Sequence, residues 1–169
     1  MAIDSNTRIQ FEKCVRECAD AMYRVAFRLL GNETLATELV QETYFHAWKS
    51  LASLKETEKV KGWMFAILRN QYTKLLQKEK RSVSTAEMIE VESTEKAQKH
   101  FEDKDMIQFA LSKLDDQHRL PLLLVSMEEL SVDEASEVLQ IPRGTVLSRL
   151  HRGRQKMKEI LSQTTTKSH

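Results

Sequence analysis

Apolar residues recur in steps of three and four along the first part of this chain: Phe11, Val15, Cys18, Met22, Val25 and Leu29. That spacing places one side chain after another on the same face of a helix about five turns long. Gly31–Asn32 stops it, because glycine takes the left-handed conformation that ends helices. A second helix follows, with Leu35, Leu39, the Val40/Tyr44 pair, Ala47 and Trp48 inward. The polar run Ser53 to Gly62 breaks the pattern and predicts a loop. A third helix starts near Lys61 and carries Trp63, Ile67, Leu68, Leu75 and Leu76 to a basic end at Arg81. From Ser82 to Asp103 the periodicity weakens and Ser, Thr and Glu accumulate, which predicts a linker. A structureless stretch of that length is unusual inside one compact domain. Two small helical domains joined by a flexible linker are therefore expected, over residues 1–81 and 104–169 with 82–103 between them.

The second half carries dense local signals. "MIQFALSKL" is an amphipathic helix ended by Leu114, and Asp115–Asp116 cap the next, "QHRLPLLLVSM". Pro121 falls within its first two turns, where loss of one N–H donor is tolerated. Ser131 and Glu134 have capping-box spacing and open a short helix ending near Leu139. Pro142 suits the first turn of a final long helix, since its φ is already helical. A short capped helix, a tight turn and a longer basic helix make a helix-turn-helix.

On a helical wheel the final helix divides cleanly. Val146, Leu150, Met157 and Leu161 share one face, with Gly153 and Ile160 beside them. Ser148, His151, Arg152 and Gln155 occupy the opposite arc, with Leu147 at its edge, while Arg149 and Lys156 flank the other side. Six cations meet a single acid, Glu159, across residues 141–161. A solvated helix usually intersperses acids that pair with its bases. Unpaired cations along one helix suit an acidic partner, and a recognition helix in a DNA groove supplies it. A phosphate can also approach the backbone N–H groups near Gly144, where the helix dipole favours an anion.

Composition supports this picture and narrows it. The 169 residues include 4 glycines and 2 prolines, with 41% hydrophobic and 30% charged residues, as expected of an all-α globular chain. The net charge of +1 conceals an uneven distribution. Residues 69–81 hold five cations against one acid, and 84–105 hold seven acids against three cations, so an acidic connector separates two basic patches. Cys14 and Cys18 are too few for a disulfide framework and read as buried thiols. The start "MAIDSNTRIQ" does not resemble a secretion signal, and no apolar run has the length of a membrane span. A cytoplasmic location without membrane attachment is expected. No phosphate loop, metal-ligand cluster or nucleophile–base motif stands out, so neither catalysis nor a cofactor or metal is expected.

"ELSVDEASEVLQIPRGTVLSRLHRGRQKM" closely resembles the region 4 helix-turn-helix of extracytoplasmic-function sigma factors. "YRVAFRLLGN", "ELVQETYFHAWKSL" and "GWMFAILRN" resemble region 2 of the same family, in the family order. The resemblance implies a factor that binds core RNA polymerase, recognises two promoter elements in DNA and helps open the downstream one. It implies that Glu38, Gln41 and Glu42 grip the coiled coil of the polymerase β′ clamp, and that region 4 meets the β flap. It assigns minus-ten reading to Asn70 and Lys74 on the third helix, with Trp63, Arg69 and Lys78 nearby. Trp63 itself reads more readily as core than as a stacking platform. Flipped bases need a pocket, expected from the loop Ser53–Gly62 with Arg69, Lys78 and Arg81. Minus-thirty-five contacts fall to Arg143, Thr145, Leu147, Ser148, Arg149, His151 and Arg152.

Four features depart from the family pattern. Lys74 stands where a second amide is common, and Leu147 where Lys or Arg is usual. Val125 replaces a common Arg, and Ser136 and Gln140 replace the small residue and turn glycine of typical helix-turn-helix units. The losses at Leu147 and Val125 predict weakened minus-thirty-five reading, offset by a partner that recruits the protein. The family also implies an anti-sigma antagonist. A helix-turn-helix regulator acting without polymerase is the alternative reading, and it leaves the first-half motifs unexplained.

Overall fold

The computed structural model describes residues 5–54, 56–85 and 103–166. Over these the chain is helical: α1 (Ser5–Leu30), α2 (Glu33–Ser50), α3 (Val60–Thr85), α4 (Asp103–Ser112), α5 (Asp116–Ser126), α6 (Val132–Leu139) and α7 (Arg143–Thr166). Most of the expected linker, 86–102, lies outside the described residues.

Local chemistry sets most element ends. Gly31 closes α1 at φ +63, and its N–H donates to the Phe27 carbonyl at 2.7 Å. Asn32 caps α2, its side-chain oxygen accepting the Leu35 N–H at 2.9 Å. Both halves of the capping box at α6 form: the Ser131 hydroxyl accepts the Glu134 N–H at 3.1 Å, and the Glu134 carboxylate accepts the Ser131 N–H at 2.7 Å. The Ser131 bonds hold the Glu134 carboxyl below its ordinary range.

Several expectations are corrected. The loop expected over Ser53–Gly62 is shorter, because two 3-10 turns (Leu51–Ser53 and Thr57–Lys59) occupy it and Lys61 and Gly62 already belong to α3. Val60 is buried there and anchors the helix start. α3 runs on to Thr85, beyond the expected end at Arg81. Pro142 sits just before α7 and offers its carbonyl to the Thr145 and Val146 N–H groups, so it caps the helix instead of occupying its first turn. Asp115 stands at the N-cap of α5 without a side-chain cap bond; its carboxylate faces Lys156 at 3.3 Å and His118 at 3.6 Å. Gln140 adopts the left-handed conformation at φ 53, where the helix-turn-helix turn favours glycine. Gln140→Gly is expected to raise stability by about 1 kcal/mol, read as a higher urea midpoint, because it removes the left-handed penalty of a residue with a Cβ.

One hydrophobic core runs through both halves. It joins Met22, Val25, Met64, Phe65 and Leu68 from the first half to Leu123, Leu124, Val138 and Val146 from the second. α1 packs on α2 and α3, α5 and α6 pack on α7, and α3 packs on α6 across the seam. Cys14 and Cys18 are free, buried thiols on α1, and burial pushes Cys18 up to about 11, so its thiolate is scarce at neutral pH.

Candidate polymerase and promoter interface

α2 has two faces. Ala36, Leu39, Val40, Thr43 and Ala47 are buried against the core, while Glu38, Gln41 and Glu42 are exposed on the other side. Their i, i+3, i+4 spacing forms one acidic and amide patch. The buried Thr43 hydroxyl donates to the Leu39 carbonyl one turn earlier in the same helix, at 2.7 Å, which satisfies it within the core. Glu42 approaches His46 at 4.0 Å, and Glu38 and Gln41 make no internal bond among the described residues, which leaves the patch free for a partner.

α3 presents Asn70 and Lys74 to solvent one turn apart, with Lys78 exposed a turn further on. They border a cleft of about 480 Å³ whose other wall is the last turn of α2, with His46, Lys49 and Ser50. The loop before α3, expected to supply a pocket, does not line this cleft; Arg69 does, and neither Lys78 nor Arg81. His46 and Lys49 escaped the sequence reading. They lie one and two turns beyond Glu42, and only the crossing of α2 over α3 shows that they meet Asn70. Lys49 also lies over the exposed Phe45 ring at 4.1 Å from its centroid. Trp63 is half-buried against the core, and its indole N–H donates to the Ser53 hydroxyl at 3.2 Å, pinning the 3-10 turn to α3. Its placement supports a scaffolding part.

Arg69 is half-buried, its Nε lacks a hydrogen-bond partner, and burial lowers its affinity for a proton. It also lines a second cavity, of about 180 Å³, together with Tyr72, Asp116, Leu139 and Arg149. Arg149 therefore faces the seam between the halves, apart from the outer arc of α7.

That outer arc carries Arg143, Leu147, Ser148, His151 and Arg152, all exposed, with Thr145 half-buried beside them. Val146 and Leu150 hold the opposite face in the core, and Gly153 packs so closely on α5 that a Cβ would come within 3.3 Å of the His118 carbonyl oxygen. Arg143 lies 3.6 Å from Asp133, and the Ser148 hydroxyl donates to the Thr145 carbonyl at 3.0 Å. Leu147 is 48% exposed, an apolar side chain in the middle of a polar arc. Val125 packs partly buried against the core, so the site of the missing arginine is not a bare surface position. His118 is buried, its Nδ1 makes no hydrogen bond and lies 3.6 Å from the Asp115 carboxylate, and desolvation, then Lys156, pushes its pKa down.

Glu128, just past the end of α5, is buried, 3% exposed, between cations of the first half. Arg24 donates to it through Nε and Nη2, both at 3.2 Å, and Lys61 donates to its backbone carbonyl at 2.7 Å. No local pattern identifies a partner 104 residues away.

Among the described residues no helix is long and apolar enough to cross a membrane, and no group of three or more His, Cys, Asp or Glu side chains is placed to hold a metal ion. Two family descriptions match: sigma-70 region 2 over residues 14–82, and sigma-70 region 4 over residues 104–157. The chain is 30% identical to the extracytoplasmic-function sigma factor SigW of Bacillus subtilis, across 84% of this chain and 83% of SigW. It is 28% identical to SigE of Mycolicibacterium smegmatis, across 94% of this chain and 64% of the longer SigE. Its fold resembles that of the sigma factor RpoE of Bartonella quintana, solved in complex with the anti-sigma factor NepR. The TM-score is 0.78 at 27% identity, covering 90% of this chain and 96% of RpoE.

Proposed function

This chain belongs to the sigma-70 family of RNA polymerase sigma factors, in its extracytoplasmic-function branch, and from that premise we propose how its two halves divide promoter recognition. Residues 1–81 bind core polymerase and read and melt the minus-ten element, residues 82–103 tether, and residues 104–169 read the minus-thirty-five element. The protein acts in the cytoplasm, as a DNA-binding subunit and not as a catalyst.

The observation that carries this reading is that α2 borders both candidate sites. Its outward patch, Glu38, Gln41 and Glu42, is exposed for the clamp coiled coil, and its last turn walls the cleft bordered by Asn70 and Lys74. At about 480 Å³ the cleft falls within the roughly 300–1,000 Å³ typical of small-ligand sites and accommodates an unpaired base. Asn70 offers an amide to a base edge, while Lys49 and Lys74 offer charge to the backbone. One rigid helix thereby couples the grip on polymerase to the capture of melted DNA. A regulator acting apart from polymerase would leave this half unused. In-vitro transcription with core polymerase on a pool of genomic promoter fragments tests the reading. Specific initiation is expected, and none from any fragment would refute it.

On α7, the exposed arc suits the major groove, with Arg143 and Arg152 for phosphate and Ser148 and His151 for base edges. The apolar Leu147 supports weakened minus-thirty-five reading. In holoenzyme binding assays Leu147→Lys is expected to tighten promoter binding by about tenfold and to steepen the log–log salt slope by about one unit, the signature of one added phosphate contact. An unchanged slope would remove Leu147 from the DNA face. Because RpoE is described in complex with NepR, a regulator of the anti-sigma class is a candidate partner here too.

A further inference from the structure

Two arginines line the cavity of about 180 Å³ introduced above: Arg69 of α3 and Arg149 of α7. Both are half-buried, and among the described residues neither side chain makes an ion pair or a hydrogen bond. The Arg69 Nε–H is sealed from solvent without an acceptor, and desolvation lowers the affinity of that group for its proton. An N–H left unpaired in that way bears the full cost of its lost water. One carboxylate, Asp116, also lines the cavity, but it is already engaged. It accepts the Tyr72 hydroxyl and lies 3.5 Å from Arg119. Arg69 and Arg149 therefore face a shared space without a carboxylate of their own. Like charges in a partly desolvated space repel more strongly than in water, so the arrangement costs free energy unless an anion enters.

Shape and chemistry select the anion. A guanidinium is a planar fork of donors that engages two oxygens of a partner at a time. A carboxylate has two oxygens in one plane and satisfies one such fork. A phosphoryl group carries its oxygens around a tetrahedral centre and can take a fork from each side. The volume lies below the roughly 300–1,000 Å³ of sites that enclose a whole small ligand, so it suits a phosphoryl group with no base or sugar inside. Leu120 and Leu139 supply a buried apolar wall, which strengthens a charge-assisted bond made beside it. Thr73 and Gln117 in the lining are exposed, so an organic group esterified to the phosphate would project into solvent.

We propose that Arg69 and Arg149 form a binding site for a small phosphate-bearing anion, held between α3 and α7. The site is separate from the cleft bordered by Asn70 and Lys74, which Arg149 does not line. It does not rest on the promoter-reading assignment, because binding of a small anion is read on the chain alone, without DNA or polymerase. A ligand that needs both arginines in place binds the folded chain only, and so raises its melting temperature by mass action.

Isothermal titration calorimetry on the full chain tests the site, with inorganic phosphate, pyrophosphate and glycerol phosphate as probes and potassium chloride holding ionic strength constant. Saturable binding of one phosphate or pyrophosphate per chain is expected, together with a rise in melting temperature that chloride does not reproduce. Arg69→Gln and Arg149→Gln should each weaken binding by about tenfold or more, the loss of one charge-assisted fork, and should remove most of the melting shift. Arg149→Gln keeps the test sound if Arg69→Gln fails to fold. Lys13→Gln, which removes an exposed cation of α1 outside the cavity, should bind as wild type does. Binding of glycerol phosphate beside the inorganic ions would uphold the site with an esterified occupant, and binding of the inorganic ions alone would uphold it with a free one. No saturable binding of any probe at about 10 mM, well above a millimolar Kd, would overturn the proposal and leave both guanidiniums as contacts for the DNA backbone alone. Binding that survives both arginine substitutions, or that Lys13→Gln weakens equally, would mark diffuse charge attraction and overturn it as well.

Discussion

Alanine at both Gln41 and Glu42 is expected to lower transcription on core polymerase by about a hundredfold or more while leaving the fold intact. Both side chains are exposed on α2, and the nearest internal partner of either is His46, 4.0 Å from Glu42. Alanine is a better helix former than glutamate or glutamine, so α2 does not weaken. What is lost is contact with a partner. Truncating central polar anchors of an interface costs about 2–4 kcal/mol, or roughly 30- to 1,000-fold in affinity. Pull-down of core polymerase with the variant, beside a thermal melt, separates the effects. A variant that melts normally yet still binds core with wild-type affinity would remove this patch from the polymerase interface.

Phe65→Ala is expected to have the largest effect on stability. Phe65 is 1% exposed on α3, within the continuous core that joins both halves. Deleting a fully buried aromatic ring costs about 3–5 kcal/mol, from lost transfer energy and the cavity left behind. That is a large fraction of the roughly 5–15 kcal/mol that holds an ordinary domain together. Urea unfolding should show a correspondingly lower midpoint, with Phe65→Leu much milder because most of the volume remains. If Asn70 and Lys74 read the minus-ten element as proposed, that reading should weaken with it, because both lie on the same helix and depend on its seating. A loss under about 1 kcal/mol would mean that α3 is held chiefly by other contacts.

The corrections share a cause. Pro142 and Asp115 were placed within one residue of their positions, but their roles turned on geometry that spacing does not encode. The loop was drawn on to Gly62 because the run before it is polar, whereas the buried Val60 begins the helix, one residue before the expected start near Lys61. The loop before α3 was expected to supply a pocket; the cleft that Asn70 and Lys74 border lies instead between two helices, whose crossing places His46 and Lys49 opposite Asn70. Trp63, by contrast, was legible as core from its helical phase.

What the amino-acid sequence determined alone is what short-range physics controls. Helical periodicity, the Asn32 and Ser131 caps, the Gly31 stop and the outward arc of α7 each depend on residues within a few positions of one another. What only the tertiary structure decided is which distant groups meet. Glu128 and Arg24 lie 104 residues apart, and either would pass for an ordinary solvated charge. Whether a charge is solvated or sealed between two others depends on how whole helices pack, because burial and dielectric belong to the assembled fold and not to any local stretch of chain.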